Sequence, residues 1–327
     1  MVFLIIAFSV IGSFLIYFAV CYIVSGKIYE KMFSARHEPD KRITFYTNEE
    51  FGIDKDLYKV ECPEGNIVGY FYHKDDYDKT KLVIFCHGMN SSKEDYVQEA
   101  CYIASKGYLV YMFDYLGTNE SSGESLKGFS DGIYSLDMVL NQLNKDEKYK
   151  DLDLYVMGHS WGGYTCTSIV KLHPEVKGIL GISPMISVFE SSFHAPGNRP
   201  FFHALAFAMY DKFVFPSRYR INVKKALESY SGKIILVQSE DDPVVSFNSS
   251  VGYLRKKCKN KNIEYIVLQN RLHNPDYTDQ AVQNWKAFND AYRAAEDKDK
   301  VFEETDFHAC GEIDTSLWDT MLSKMFQ

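Results

Sequence analysis

Short, unbroken apolar runs recurring between helical stretches constrain this chain more than any other feature. Leu82-Val83-Ile84-Phe85-Cys86 contains no charged or strongly polar residue, as expected of a central parallel strand covered on both faces. Runs that are apolar but for Asp153, Lys233 and Glu264 return at 108–113, 153–157, 178–182, 233–237 and 263–268. Stretches with helical patterning lie between them, near 94–105, 131–144 and 162–173. Strands alternating with helices predict an α/β architecture, a mostly parallel sheet wound on both sides. Two earlier runs, 57–62 and 67–72, are joined across Pro63-Glu64-Gly65-Asn66 and predict a hairpin leading into the sheet.

One interval breaks the rhythm. About fifty residues separate the run near 180 from the run near 235, far more than a crossover needs. This insertion, about residues 187–231, is rich in aromatics: Phe189, Phe193, Phe201, Phe202, Phe207, Tyr210, Phe213 and Phe215. It reads as a helical cap. Most of these rings would glue the cap to the body, and a minority facing a site beneath it would line an apolar pocket. Near the C-terminus a charged stretch (296–304) precedes Asp314-Thr315-Ser316-Leu317-Trp318, which has the pattern of a capped amphipathic helix returning to the body.

The N-terminus differs in kind. No charged residue occurs from Phe3 to Val24, a run long enough to span a bilayer as one transmembrane helix. A cleaved signal peptide would need a basic leader, a shorter apolar stretch and a small-residue cleavage site, and a lipoprotein signal at Cys21 is poorly served by bulky Val20. The reading is therefore an anchor over 1–25, a connector over 26–55 and a body over 56–327, with residues 3–24 meeting the lipid bilayer. Lys27, Lys31, Arg36, Lys41 and Arg42 follow the span and nothing charged precedes it, so the positive-inside rule leaves the body in the cytoplasm. Seven cysteines at irregular spacing form no CxxC or CxxH pair, which argues for thiols rather than a disulfide framework or structural zinc. A net charge of −8 without a Lys/Arg stripe gives no reason to expect nucleic acid.

Chemistry concentrates at Gly158-His159-Ser160-Trp161-Gly162. Strand before, helix after and glycines on either side make this a nucleophile elbow, a turn that thrusts the serine hydroxyl outward on a strained backbone. A serine hydroxyl needs a base to take its proton, and the base needs a carboxylate to fix its tautomer. In a wound sheet those partners belong past the carboxyl ends of later strands. Asp242, in Glu240-Asp241-Asp242-Pro243, follows the 233–237 run, with Asp241 as its competitor; His273 follows the 263–268 run. The other eight histidines lie beside other motif residues, in the cap, before the central strands, at the end of the elbow helix or in the tail. His87-Gly88-Met89, ending the first central strand, would supply an oxyanion-binding backbone N–H at Met89, paired with that of Trp161, while His87 braces the loop.

In that order, His-Gly-x-x, Gly-His-Ser-Trp-Gly, Glu-Asp-Asp-Pro-Val-Val and a late histidine resemble the α/β-hydrolase superfamily, and within it the monoacylglycerol lipase and serine-aminopeptidase-like branch. Asp114-Tyr115-Leu116-Gly117 with Ser121-Ser122-Gly123 is similar to that branch's loop after the fourth strand. Two positions depart from its pattern: Thr118-Asn119 replaces a usual glycine, and Leu272 precedes His273 where glycine is frequent. The resemblance implies hydrolysis of an ester, thioester or amide through an acyl-serine, with Ser160 as nucleophile, His273 as base and then acid, Asp242 orienting it, and no metal or cofactor. Anchor and aromatic cap favour a lipid-like acyl ester as substrate. An aminopeptidase would need cap carboxylates for a substrate amine, for which Glu190 and Asp211 are the candidates. An acyltransferase on the same scaffold, and a membrane-bound binding protein with a disused site, are the remaining alternatives.

Overall fold

A computed structural model describes residues 1–43, 46–194 and 200–327. Eight strands form one sheet: β1 (Asp54–Cys62), β2 (Gly65–His73), β3 (Asp78–Cys86), β4 (Tyr108–Phe113), β5 (Asp153–His159), β6 (Gly178–Ile182), β7 (Lys233–Ser239) and β8 (Ile263–Leu268). Their order across the sheet is β1-β2-β4-β3-β5-β6-β7-β8. β1 and β2 pair as the expected antiparallel hairpin, β2 meets β4 antiparallel, and every later pairing is parallel. This is the α/β-hydrolase fold anticipated from the sequence.

The chain runs from β3 outward to β4 and then returns to place β5 on the other side of β3. Such a reversal opens a crevice at the carboxyl ends of the two strands, where wound sheets bind ligands. In register, Cys86 ending β3 lies opposite Gly158 of β5. The segments that follow, His87-Gly88-Met89 and Ser160, therefore leave the sheet side by side.

Helices α2 (Val97–Ser105), α3 (Asp131–Leu143), α4 (Trp161–Ile169) and α8 (Val251–Lys257) flank the sheet, with α12 (Thr315–Phe326) returning at the end. Two apolar cores form as a result. One holds Leu82, Ile84, Leu136, Val156 and Trp161, the other Val83, Phe85, Met157, Val237 and Trp318. Alternate residues of β3 thus serve opposite faces, which is why its sequence could not alternate in polarity. The Asp314 carboxylate caps α12 by accepting from the N–H groups of Ser316 and Leu317, as its sequence predicts.

The cap contains α5 (Val188–Phe193), α6 (Phe201–Val214) and α7 (Val223–Ser229). A long helix that the sequence reading did not single out, α9 (Asp279–Ala294), follows β8 and packs with the short α10 (Lys298–Glu303) and α11 (Phe307–Gly311) around Phe288, Phe302 and Phe307. At the other end, α1 spans Val2–Phe33 and so runs eight residues past the expected limit of the apolar segment. The extension was read as connector because Lys27, Glu30 and Lys31 make it polar in composition. Its buried residues, Ser25, Gly26, Tyr29 and Phe33, recur at helical spacing and face the cap.

Candidate active site

Ser160 sits between β5 and α4 with φ 56° and ψ −112°, a left-handed backbone that costs a non-glycine residue of order 1–3 kcal/mol. Its surroundings hold it there. Its N–H donates to the Ile182 carbonyl at 2.8 Å, and its own carbonyl accepts from Tyr164 and Met185. The elbow also demands close backbone crossings. A Cβ on Gly158 would lie 2.4 Å from the Gly162 carbonyl oxygen, and one on Gly162 only 2.0 Å from that of Cys86. Glycine at both positions is a steric requirement of strand and helix meeting at this angle.

The loop after β7 carries Asp242, whose Oδ1 accepts from the N–H groups of Val244 and Val245, both at 2.9 Å. His273 Nδ1 lies 3.0 and 2.9 Å from its two carboxylate oxygens. Burial pushes the Asp242 carboxyl up, but the hydrogen bond and charge of His273 and the two backbone N–H groups outweigh it and hold the group below its usual range. Asp241, the competitor, instead accepts from the Ser239 hydroxyl. With Nδ1–H committed to Asp242, the His273 lone pair is on Nε2, the arrangement a general base requires. No hydrogen bond joins Ser160 Oγ to that ring among the described residues; such bonds are often long in unliganded sites.

What holds His273 near Ser160 is the residue before the serine. His159 Nε2 lies 2.9 Å from the His273 carbonyl oxygen and therefore carries the proton. Its Nδ1 must then accept, and Tyr96 O–H donates to it at 2.8 Å. The Tyr96 oxygen in turn accepts from the N–H of Gly88 at 3.2 Å. One relay thus connects the loop after β3, the elbow and the histidine loop. Burial, helped by the nearby His273, pushes His159 down to about 3, so it stays neutral. Neither this relay nor Tyr96 was visible in the sequence, because its links lie 63 and 114 residues apart.

His87 braces its loop as expected. Its Nε2 accepts from Tyr115 N–H at 3.3 Å and its Nδ1–H donates to the Gly88 carbonyl at 2.8 Å; burial pushes it down to about 3. The loop continues through Asn90 at φ 58°, a conformation asparagine tolerates. It then reaches Lys93, fully buried, whose Nζ pairs with Asp114 at 2.6 Å and whose N–H donates to the same carboxylate. This ion pair pins the loop to the end of β4, and the sequence reading missed it. The two departures in the sequence pattern have a common explanation: Asn119 and Leu272 both adopt positive φ, 38° and 50°, where a glycine would be unstrained.

Comparisons with known proteins bear on the fold. Residues 77–220 match the family model described as serine aminopeptidase, S33. A monoglyceride lipase homolog of monkeypox virus is 31% identical over 81 residues, which is 25% of this chain and 29% of that protein. The chain therefore matches under a third of the length of this curated relative. Among solved structures, an esterase of Pyrococcus furiosus superposes with a TM-score of 0.56 at 20% identity, covering 81% of this chain and 97% of the esterase. An acylaminoacyl peptidase of Pyrococcus horikoshii gives 0.53 at 14% identity, over 76% of this chain and 44% of its own. The chain has the α/β-hydrolase fold.

Within this fold a cavity of about 190 Å³ opens on Ser160. Met89 and Trp161 line it with Phe129, Met185, Val188, Phe207, Val244 and Val245, and Met32 of α1 completes the wall. None of the described lining residues is charged. Trp161 heads α4, where the first N–H groups have no intrahelical acceptor, and its indole donates to the Phe129 carbonyl at 2.8 Å. Glu190 and Asp211 lie elsewhere. They line a second cavity of about 460 Å³, together with the charged Lys212, Arg220 and Lys224, and Asp211 accepts from Tyr29 O–H at 2.6 Å. The fold thus brings together the sequence candidates Ser160, His273, Asp242, Met89, Trp161, His87, Gly88, Gly158, His159 and Gly162, and separates the two cap carboxylates from them.

Proposed function

We propose that this protein is a membrane-anchored serine hydrolase that cleaves carboxylic esters of apolar acyl groups, of the monoacylglycerol or lysophospholipid type. The observation that carries the reading is the uncharged, Met- and Phe-lined cavity at Ser160, which suits an acyl chain and offers no carboxylate to a substrate amine. For that reason an ester is favoured over an aminopeptidase substrate, whatever the name of the matching family model.

In the proposed reaction Ser160 Oγ attacks the ester carbonyl while His273 Nε2 takes the hydroxyl proton. The carbonyl oxygen becomes an oxyanion, held by the backbone N–H groups of Met89 and Trp161. His273, kept in its tautomer by Asp242, returns the proton to the departing alcohol and leaves an acyl-serine. A water deprotonated by His273 then attacks that acyl-serine, the acid departs and Ser160 regains its proton. All groups used belong to the chain or to water.

The anchor is residues 3–24, with the body on the cytoplasmic side. Supporting it, the most apolar window of α1 buries none of its residues against the protein, and Lys27, Lys31 and Arg36 follow it. The deciding experiment is labelling with a fluorophosphonate probe. Wild type labels and Ser160→Ala does not; equal labelling of both, or none of wild type, refutes the mechanism.

A further inference from the structure

Anchor and active site are built into each other. Along their lengths α1 and α6 pack in the same direction. Phe202 stands edge-on to Phe14 and Tyr17 with ring centres 5.3 and 5.9 Å apart. One turn on, His203 Nδ1 lies 3.6 Å from Cys21 Sγ, and its carbonyl accepts from Ser25 O–H. Further along, the Tyr210 ring covers Gly26 so closely that a Cβ there would lie 2.7 Å from it. At the end, Tyr29 O–H donates to Asp211. The Tyr29 oxygen also accepts from Phe129 N–H at 3.3 Å. The carbonyl of Phe129 holds the Trp161 indole, and Met32 lines the Ser160 cavity.

This packing has a geometric consequence for any span through α1. Val2–Ser13 precede Phe14, the first residue of α1 whose ring meets one of α6. At 1.5 Å per residue those twelve residues reach about 18 Å, well short of the roughly 30 Å hydrocarbon core. A spanning α1 must therefore include Phe14–Val24, and α6 lies against that part. Phe14 stands ten residues above Val24, about 15 Å along the axis, so the N-terminal end of α6 enters the proximal leaflet.

Composition fits that depth. From Phe201 to Met209 the only strongly polar side chain is His203, and it faces Cys21 and Tyr17 of α1. Phe189 and Phe193 of α5 join Phe201 and Phe202 in one aromatic tip, with Phe201 exposed. The first charged residues, Asp211 and Lys212, come level with Tyr29, near Lys27 and Lys31, where an interface belt belongs.

We propose that the proximal leaflet is a direct partner of the cap: the aromatic tip of α5 and α6 inserts into it beside α1, and the Ser160 cavity takes its acyl ester from the leaflet along the α1–α6 seam, past Met32. The proposal rests on the anchor reading above. A cavity of about 190 Å³ is smaller than those that enclose a whole drug-sized ligand. It holds the reacting end of a lipid while the rest of the tail stays along the seam.

The test uses full-length protein in phosphatidylcholine vesicles. Carbonate extraction first decides the anchor: release of the protein overturns that reading and this one with it. For retained protein, Phe201→Trp adds an emission that lipids brominated in the acyl chain quench by about half or more relative to the wild-type background. Retention with the added emission unquenched overturns insertion alone and leaves the anchor standing. Phe201→Asp, outside the Ser160 cavity, keeps fluorophosphonate labelling and turnover of a soluble butyrate ester within about twofold of wild type. Its turnover of a long-chain monoacyl ester held in vesicles falls about tenfold or more, roughly the cost of placing one charge at the interface. Equal turnover of the vesicle substrate by Phe201→Asp and wild type overturns delivery from the leaflet.

Discussion

Replacing Asp242 by asparagine tests the proposed mechanism at the point where the sequence left two candidates. In Asp242→Asn the amide keeps one oxygen for the N–H groups of Val244 and Val245, which Oδ1 now serves. The amide NH2 then occupies the place of Oδ2, facing His273 Nδ1 and Gln238 Nε2, 2.9 and 3.1 Å away. Gln238 cannot turn to accommodate it, because its own NH2 donates to the Val245 carbonyl and its oxygen accepts from Val251 N–H. The imidazole yields instead: Nδ1 becomes the acceptor and Nε2 takes the proton, so the base is lost. A triad aspartate replaced in this way costs about 10⁴ in turnover, roughly 5 kcal/mol of transition-state stabilisation. Folding suffers less, by about 1–3 kcal/mol for the charged hydrogen bonds lost. Turnover of p-nitrophenyl butyrate by Asp242→Asn at neutral pH, compared with Asp241→Asn at matched circular dichroism, reads this out. Asp241→Asn should stay within about threefold of wild type. If Asp242→Asn retains more than a tenth of the rate, or Asp241→Asn shows the larger loss, the assignment of the acid is refuted.

Gly162→Ala should leave no folded protein in a thermal-shift assay, because its Cβ meets the Cys86 carbonyl, main chain that cannot move aside. Gly12→Ala, with nothing within 4 Å, should melt as wild type does. Stability should also carry the signature of Asp131, which burial raises to about 7 against the N–H groups of Gly128 and Lys127. Its folded value lies above its unfolded one, so its contribution is complete below the ordinary carboxyl range and is lost as pH rises through about 7. Asp131→Asn should therefore shrink the fall in Tm between pH 5 and pH 8, and an unchanged fall would assign the loss to other groups such as Asp276, also raised to about 7.

Local signals carried much of this molecule. Apolar runs of five or six residues announced the strands, since a buried parallel strand tolerates polarity on neither face. Two glycines around Ser160 announced the elbow, since the crossing of α4 over β3 leaves no room for Cβ. The helical phase of Ser25, Gly26, Tyr29 and Phe33 was equally present in the sequence, but Lys27, Glu30 and Lys31 between them disguised it as a connector. Composition hid what spacing would have revealed.

Other features had no local signal at all. Asp241 and Asp242 are neighbours in one turn with the same chemistry, and only the path of β7 into its loop decides which carboxylate reaches His273 and which turns back to Ser239. Lys93 reads as an ordinary surface lysine until β4 brings Asp114 beneath it. Tyr96 acquires its place from His159 and Gly88, and Met32 joins the site because α1 lies along α6. The sequence by itself determined the strands, the elbow and the order of the reactive groups, because backbone sterics and burial periodicity act over a few residues. Tertiary structure alone decided which carboxylate pairs, which polar groups hold the loops and which wall α1 supplies, because hydrogen bonds and apolar contacts depend on distance in space and are indifferent to separation along the chain.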